Sequence, residues 1–151
     1  MAHMEQLVIV TAVVAGLLAG LELAVSVVVG PILATLDQTN MLRGRTQGAG
    51  ALGRAMPVAY GVALVLVVAS LLVGWDDGSR GLLGGAVVAY GAITALSLGY
   101  LVPMNTRAAR WDPEQPPGDW QQVMRRWDRG HAVRVVLLVV AFVLLVVAVA
   151  R

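Results

Sequence analysis

The chain has 151 residues, of which 58% are apolar and 13% are charged, with a formal net charge of +2 and a mean hydropathy of +0.78. A water-soluble domain of this length could not bury so many apolar side chains, so the composition predicts an integral membrane protein. The absence of cysteine excludes disulfides, thiolate nucleophiles and cysteine-bound metal centres, and we expect no nucleic-acid partner.

Four apolar stretches are each long enough to cross a bilayer, whose hydrocarbon core of about 30 Å needs roughly 20 helical residues. They cover about residues 6–36, 56–74, 81–102 and 131–150. We therefore predict an all-α, integral membrane four-helix bundle with up-down-up-down topology, forming one domain over residues 4–151. The three preceding residues, 1–3, are expected to be a cloning scar.

The first stretch is longer than one bilayer crossing requires, so we expect it to tilt, to kink at Pro31 or to project from the membrane. Small residues recur on it every four positions, at Ala12, Gly16, Gly20 and Ala24. Such a ridge is typical of close helix contact. It predicts either packing within the chain, the simpler alternative, or a homo-oligomer that forms through Gly16 and Gly20.

Two polar segments separate the spans. Residues 37–54, rich in glycine and arginine, are predicted to form a loop, and so are residues 103–118, which contain four prolines. Asp119 and Gln122 then predict an N-cap pair, followed by an amphipathic, arginine-rich helical lead-in over residues 120–130.

Arginine is concentrated between the first two spans and between the last two. The positive-inside rule places both of these segments in the cytoplasm and both termini outside. We expect a bacterial inner-membrane protein whose immediate partner is lipid.

One acid, Glu22, lies within the first apolar stretch. An ionisable group at the centre of a membrane helix costs at least about 2.5 kcal/mol on insertion scales and often marks a functional site. Glu22 therefore has two interpretations, as a functional group or as the structural partner of an arginine such as Arg134.

Trp127, His131 and Arg134 are spaced by four and three residues, which places them on one helix face where the fourth span begins. A neutral imidazole at this position could act as a general base. The alternative is an interfacial cluster held by lipid headgroups.

Three further residues lie near the same membrane face. Asn105 follows the third span and could orient a carbonyl or an oxyanion, although a plain C-cap role explains it equally. Tyr60 and Tyr100 could line a pocket, or could anchor the chain at the interface. One usable histidine and one intramembrane glutamate are too few to predict a closed metal site.

Several motifs together carry a family resemblance. The segments VPMNTRAARWDP, PPGDW and RRWDRGHAVR, with AGLLAGLELAV and VVVGPIL earlier in the chain, resemble the anthrone oxygenase-like family of small four-span membrane proteins. The resemblance implies oxidation of an anthrone to an anthraquinone by molecular oxygen, without a dedicated redox cofactor. It leaves a bound metal or haem open.

Carried over to this sequence, the resemblance implies that Asn105, Trp127, His131 and Arg134 are site residues, with Glu22 a further candidate. His131 would remove a proton from the anthrone, Arg134 and Asn105 would stabilise the enolate, and Trp127 would stack on the polycycle. Many relatives have histidine before the proline of the first helix, where this chain has Gly30.

Two other functions fit the same sequence. A small proton-coupled exporter would use Glu22 as its proton and substrate site. A noncatalytic membrane subunit or scaffold would use the small-residue ridge and the basic segments as contact surfaces.

Overall fold

The computed structural model describes residues 2–73 and 77–150, and helices are the only regular secondary structure in these two ranges. Four long helices follow one another: α1 (Ala2–Ala24, the π-helical segment Val25–Val29 and Gly30–Ala34), α2 (Gln38–Leu72), α3 (Asp77–Leu96, the π-helical segment Ser97–Leu101 and Val102–Ala108) and α4 (Trp120–Val149). Each helix is long and apolar enough to cross a membrane. The predicted all-α, four-span membrane architecture is confirmed.

The helices form a ring in which each packs against its neighbours in the chain, and α4 closes the ring against α1. Consecutive helices therefore run in opposite directions, as the up-down-up-down prediction requires. The interior is filled by buried apolar side chains that include Val8, Val67, Tyr90, Ile93 and Leu138. Large apolar side chains also cover the outside of the bundle, which suits a surface in contact with hydrocarbon.

The loop predicted over residues 37–54 is wrong, because helix α2 begins at Gln38 and includes all but the first of these residues. The Asp37 carboxylate caps the helix by accepting a hydrogen bond from the backbone N–H of Asn40 at 3.0 Å. This bond holds the pKa of Asp37 below its ordinary value. The cap therefore contributes stability above that ordinary pKa and loses it as pH falls through the lowered one.

Tertiary contact explains why a glycine-rich segment stays helical. Each glycine costs about 1 kcal/mol relative to alanine in a helix, but it lets another element approach closely. A Cβ atom added to Gly53 would lie 3.3 Å from Cβ of Asn105, so the end of α3 packs tightly on this part of α2. The predicted second span is thus only the second half of a longer helix.

The second predicted loop is shorter than expected, because α3 continues to Ala108. Pro103 follows directly on the π-helical segment Ser97–Leu101, whose wider hydrogen-bonding pattern accommodates a residue without an N–H group. The predicted capping by Asp119 is also wrong. Asp119 precedes α4, but its carboxylate binds Arg107 at 2.8 Å and makes no cap hydrogen bond.

The π-helical segment Val25–Val29 lies just before Gly30 and Pro31, and the helix then continues to Ala34. A π turn accommodates a proline because it widens the hydrogen-bonding pattern around the missing N–H. The helix irregularity expected at Pro31 therefore lies in the five residues Val25–Val29.

The small-residue ridge of α1 divides between two environments. Ala12 is buried, and a Cβ atom on Gly16 would lie 2.9 Å from the ring of Phe142 on α4. Gly20 and Ala24 are exposed. The first half of the ridge thus packs within the chain, and a homo-oligomer through Gly16 and Gly20 stays a prediction.

Gly130 and Gly20 form a matched pair for testing the packing. A Cβ atom on Gly130 would lie 2.9 Å from Cε1 of Tyr100 and 3.0 Å from Cδ2 of Leu101, whereas one on Gly20 would meet no atom within 4 Å. Overpacking costs about 1–3 kcal/mol and exceeds the helix-propensity gain of about 1 kcal/mol. We expect Gly130→Ala to lower the free energy of unfolding in detergent by about 1 kcal/mol, and Gly20→Ala to leave it unchanged or slightly higher. Equal unfolding midpoints would contradict this packing.

Candidate functional site

A cluster of polar side chains surrounds Glu22 inside the bundle. Glu22 is 3% exposed, and its Oε2 atom lies 2.6 Å from Nη2 of Arg134 and 3.1 Å from Nδ1 of His131. Its Oε1 atom accepts a hydrogen bond from the Tyr60 hydroxyl at 2.5 Å. The carboxylate therefore joins α1 to α2 and α4, and one of the two interpretations of Glu22, pairing with Arg134, is present in the structure.

Arg134 is the cation of this cluster and is 5% exposed. Its Nη1 atom donates to Oγ of Ser97 at 3.4 Å, and its Cζ atom lies 5.2 Å from the centre of the Tyr60 ring. Buried charges are tolerated when they are paired and hydrogen-bonded. The terminal nitrogens of Arg134 are thus engaged by protein groups.

His131 has two differently placed ring nitrogens. Nδ1 contacts both Glu22 and Arg134 at 3.1 Å, whereas Nε2 is buried and has no hydrogen-bond partner among the described residues. The imidazole stacks on Trp127, with ring centres 4.7 Å apart and planes 12° from parallel. The protein therefore fixes the ring and leaves one nitrogen free.

A cavity of about 340 Å³ lies beside this cluster, at the end of the bundle that carries the arginine-rich segments. Its wall is mostly apolar, from residues of all four helices that include Val29, Gly30, Gly48, Leu52 and Ala108. Asn105, Trp127 and His131 form its polar part together with the ion pair of Arg45 and Asp128, which is 2.8 Å long. Such a space suits a largely apolar ligand with a few polar groups.

A second, much smaller chamber of about 20 Å³ lies next to the large cavity. Asn105, Trp127 and His131 line both spaces, so they form part of a shared wall. The other polar side chains around the small chamber are those of Glu22, Tyr60, Ser97 and Arg134. The site thus combines a large cavity with a small chamber that has room for about one water molecule.

Six of the seven residues predicted for the site lie together around these two spaces: Glu22, Tyr60, Asn105, Trp127, His131 and Arg134. Tyr100 does not join them. It is 39% exposed, lines neither space, and packs beside Gly130 on the outside of the bundle. The interfacial alternative for Tyr60 is wrong, because its side chain is 1% exposed and bonded to Glu22.

Sequence analysis missed Ser97, Arg45 and Asp128. Arg45 lay in a segment predicted to be a loop, so its position on a helix opposite Asp128 was not expected. Gly30, which precedes Pro31, lines the large cavity. No group of three or more His, Cys, Asp or Glu side chains that could hold a metal ion occurs within the described ranges. The predicted independence from a cofactor stays a prediction.

By its fold and its cluster, the chain is a four-span membrane protein with a buried Glu–His–Arg cluster beside an apolar cavity. The chain belongs to the anthrone oxygenase family, which it matches over residues 49–144, more than half of its length. The matched region contains Tyr60, Asn105, Trp127, His131 and Arg134, whereas Glu22 precedes it. No curated protein and no solved structure matches the chain.

A double-mutant cycle tests the buried ion pair. Removing one partner of such a pair costs about 3–5 kcal/mol because the other charge stays buried without compensation. We expect Glu22→Gln and Arg134→Gln each to reduce the free energy of unfolding by about that amount, and the double variant to lose clearly less than their sum.

The matched control is the surface pair Arg107 and Asp119, whose side chains are 53% and 44% exposed. Arg107→Gln and Asp119→Asn should each cost less than about 1 kcal/mol. Additive losses at Glu22 and Arg134, measured by denaturation in detergent, would show that the two charges are not coupled.

Proposed function

We propose that this protein is a membrane-embedded oxygenase that acts on an apolar, anthrone-type aromatic substrate with molecular oxygen, and that His131 is the general base. One observation carries the proposal: His131 lines an apolar cavity, its Nε2 atom is buried without a partner among the described residues, and its Nδ1 atom contacts Glu22. Membership of the anthrone oxygenase family supports the reaction type.

Glu22 determines which nitrogen of His131 is the base. Nδ1 lies 3.1 Å from both Oε2 of Glu22 and Nη2 of Arg134, and we propose that Nδ1 carries the proton and donates a hydrogen bond to the carboxylate. The neutral imidazole then has its lone pair on Nε2, which has no partner among the described residues. Stacking on Trp127 then limits rotation of the ring. Glu22 is therefore a positioning residue in this proposal and does not itself touch the substrate.

The chemistry begins at the methylene carbon of the anthrone, opposite its carbonyl group. His131 Nε2 removes one proton, and the electron pair of the C–H bond passes into the ring system to give an enolate. Oxygen accepts electrons from this anion, bonds to the same carbon, and takes back the proton from His131 to give a hydroperoxide. Removal of the remaining proton from that carbon forms the second carbonyl as the O–O bond breaks, and the hydroxide that leaves takes up this proton to become water. Anthrone and O₂ thus give anthraquinone and H₂O.

The substrate reaches the site from the bilayer in this proposal. The outside of the bundle is apolar, and a flat polycycle that is poorly soluble in water partitions into hydrocarbon. The orientation proposed for the protein is the one predicted by its arginines, with the cavity end at the cytoplasmic side of a bacterial inner membrane and both termini outside.

The two other predicted functions have less support. A proton-coupled exporter needs an acid that exchanges protons with water, but both oxygens of Glu22 are engaged by Tyr60, His131 and Arg134. A scaffold has no use for an unpartnered imidazole nitrogen beside a cavity. Proton-gradient-driven efflux that Glu22→Gln abolishes would favour the exporter.

The test of the base is anthrone oxidation by detergent-purified protein, started by admitting oxygen to an anaerobic sample and followed by anthraquinone formation and oxygen uptake. We expect His131→Gln to lower kcat about 100- to 10,000-fold, because a positioned general base contributes that much. Metal content and the absorption spectrum are measured on the same sample.

The control is Val136→Ala on the same helix, since Val136 is 61% exposed and lines neither space. It should retain wild-type turnover. The proposal fails if folded His131→Gln protein oxidises anthrone as fast as the wild type, or if the wild type shows no turnover at all.

A further inference from the structure

Two of the residues that line the small chamber, Trp127 and Arg134, have side-chain N–H groups. Nε1 of Trp127 and Nε of Arg134 are both buried, and neither has a partner among the described residues. Each of these atoms can only donate a hydrogen bond. Buried polar groups in native proteins nearly always have a hydrogen-bond partner. Two donors without a described partner, on residues around one space, therefore indicate that an acceptor binds there.

The size of the chamber limits what this acceptor can be. At about 20 Å³ it has room for one water-sized group, and not for a ring of the substrate. The chamber adjoins the large cavity, since Trp127, His131 and Asn105 line both spaces. A single oxygen atom attached to a larger molecule in that cavity fits both conditions.

We propose that the chamber is an oxyanion site, in which Trp127 Nε1–H and Arg134 Nε–H donate hydrogen bonds to the enolate oxygen of the substrate. This inference rests on the proposed function. It places in the chamber the carbonyl end of the substrate, opposite to the carbon that His131 deprotonates. It gives Trp127 a second role besides stacking, as a catalytic donor. It keeps the predicted role of Arg134 in stabilising the enolate and assigns that role to Nε, because the terminal nitrogens are engaged by Glu22 and Ser97.

The charges around the chamber balance, because the Arg134 guanidinium is paired with the Glu22 carboxylate. Helix α4 supplies Arg134 and His131, α1 supplies Glu22 and α2 supplies Tyr60, whereas α3 contributes the uncharged groups of Ser97 and Asn105. The Glu22 carboxylate is compensated by three partners, so it does not leave an unpaired negative charge facing the chamber. Donors fixed in a site without bulk water stabilise a developing negative charge more strongly than water does.

Trp127→Phe is the informative variant because it keeps an aromatic ring for stacking on His131 and removes the N–H donor together with part of the indole ring. Its control is Trp120→Phe on the same helix, since Trp120 packs in a separate apolar cluster with Ala108 and Val123 and lines neither space. We expect Trp127→Phe to lower kcat on the order of 100-fold with little change in KM, because the donor acts on the anion more than on the bound ketone.

A second measurement separates this role from a structural one. Without oxygen, bound anthrone can ionise but cannot be oxidised, and its enolate absorbs at longer wavelength than the ketone. Titration of the anaerobic complexes with pH should show ionisation at lower pH on wild-type and Trp120→Phe protein than in detergent alone. On Trp127→Phe protein we expect the ionisation to move back up by about two pH units, the same 100-fold on an equilibrium.

Three outcomes are distinguishable. If the ionisation of bound anthrone moves to higher pH only on Trp127→Phe protein, the oxyanion site is supported. If Trp127→Phe protein ionises and oxidises anthrone as the wild type does, the oxyanion site is overturned while the proposed function stands, and the chamber then holds only an ordered water. If wild-type protein neither binds nor oxidises anthrone, the proposed function fails and the oxyanion site fails with it.

Discussion

The buried pairing of Glu22 with Arg134 is the interaction on which the rest of the site depends. Neither charge is tolerable alone among apolar helices, and each is stabilised by the other at 2.6 Å. Tyr60 and His131 complete the hydrogen bonding of the carboxylate, so residues from three helices are fixed relative to one another. The pair thus contributes specificity of assembly in a bundle whose other contacts are mostly between interchangeable apolar side chains.

The same pairing creates the asymmetry of the site. Glu22 contacts Nδ1 of His131 and Nη2 of Arg134, and Ser97 accepts from Nη1, whereas Nε2 of His131 and Nε of Arg134 have no partner within the part of the chain that the structure describes. These residues line two adjoining spaces, one large and the other small. In the function proposed here, the first space holds the carbon skeleton and the second its negative charge.

Irregular helix segments make room for these spaces. The π-helical segments of α1 and α3 lie at similar depths in the bundle, each followed by a proline in the next helical turn. Val25 of the first segment lines both spaces, and Ser97 of the second binds Arg134. A regular α-helix would have continued its packing ridge through this region. The widened turns interrupt that packing and leave space for a cavity.

The sequence by itself determined the membrane class and the four-helix order, because hydrophobic length and helical spacing are local properties. It also placed Trp127, His131 and Arg134 on one face, since three- and four-residue spacing is enough for that. It did not predict that residues 37–54 are helical, because glycine disfavours a helix locally and only contact with α1 and α3 offsets this. Nor could the sequence decide between the two roles of Glu22 or predict that Tyr100 lies outside the cavity. Both depend on how the helices pack, which brings residues 22 and 134 into contact and leaves Tyr100 exposed. Only the tertiary structure decided which atoms of the cluster were satisfied and which were left free to react.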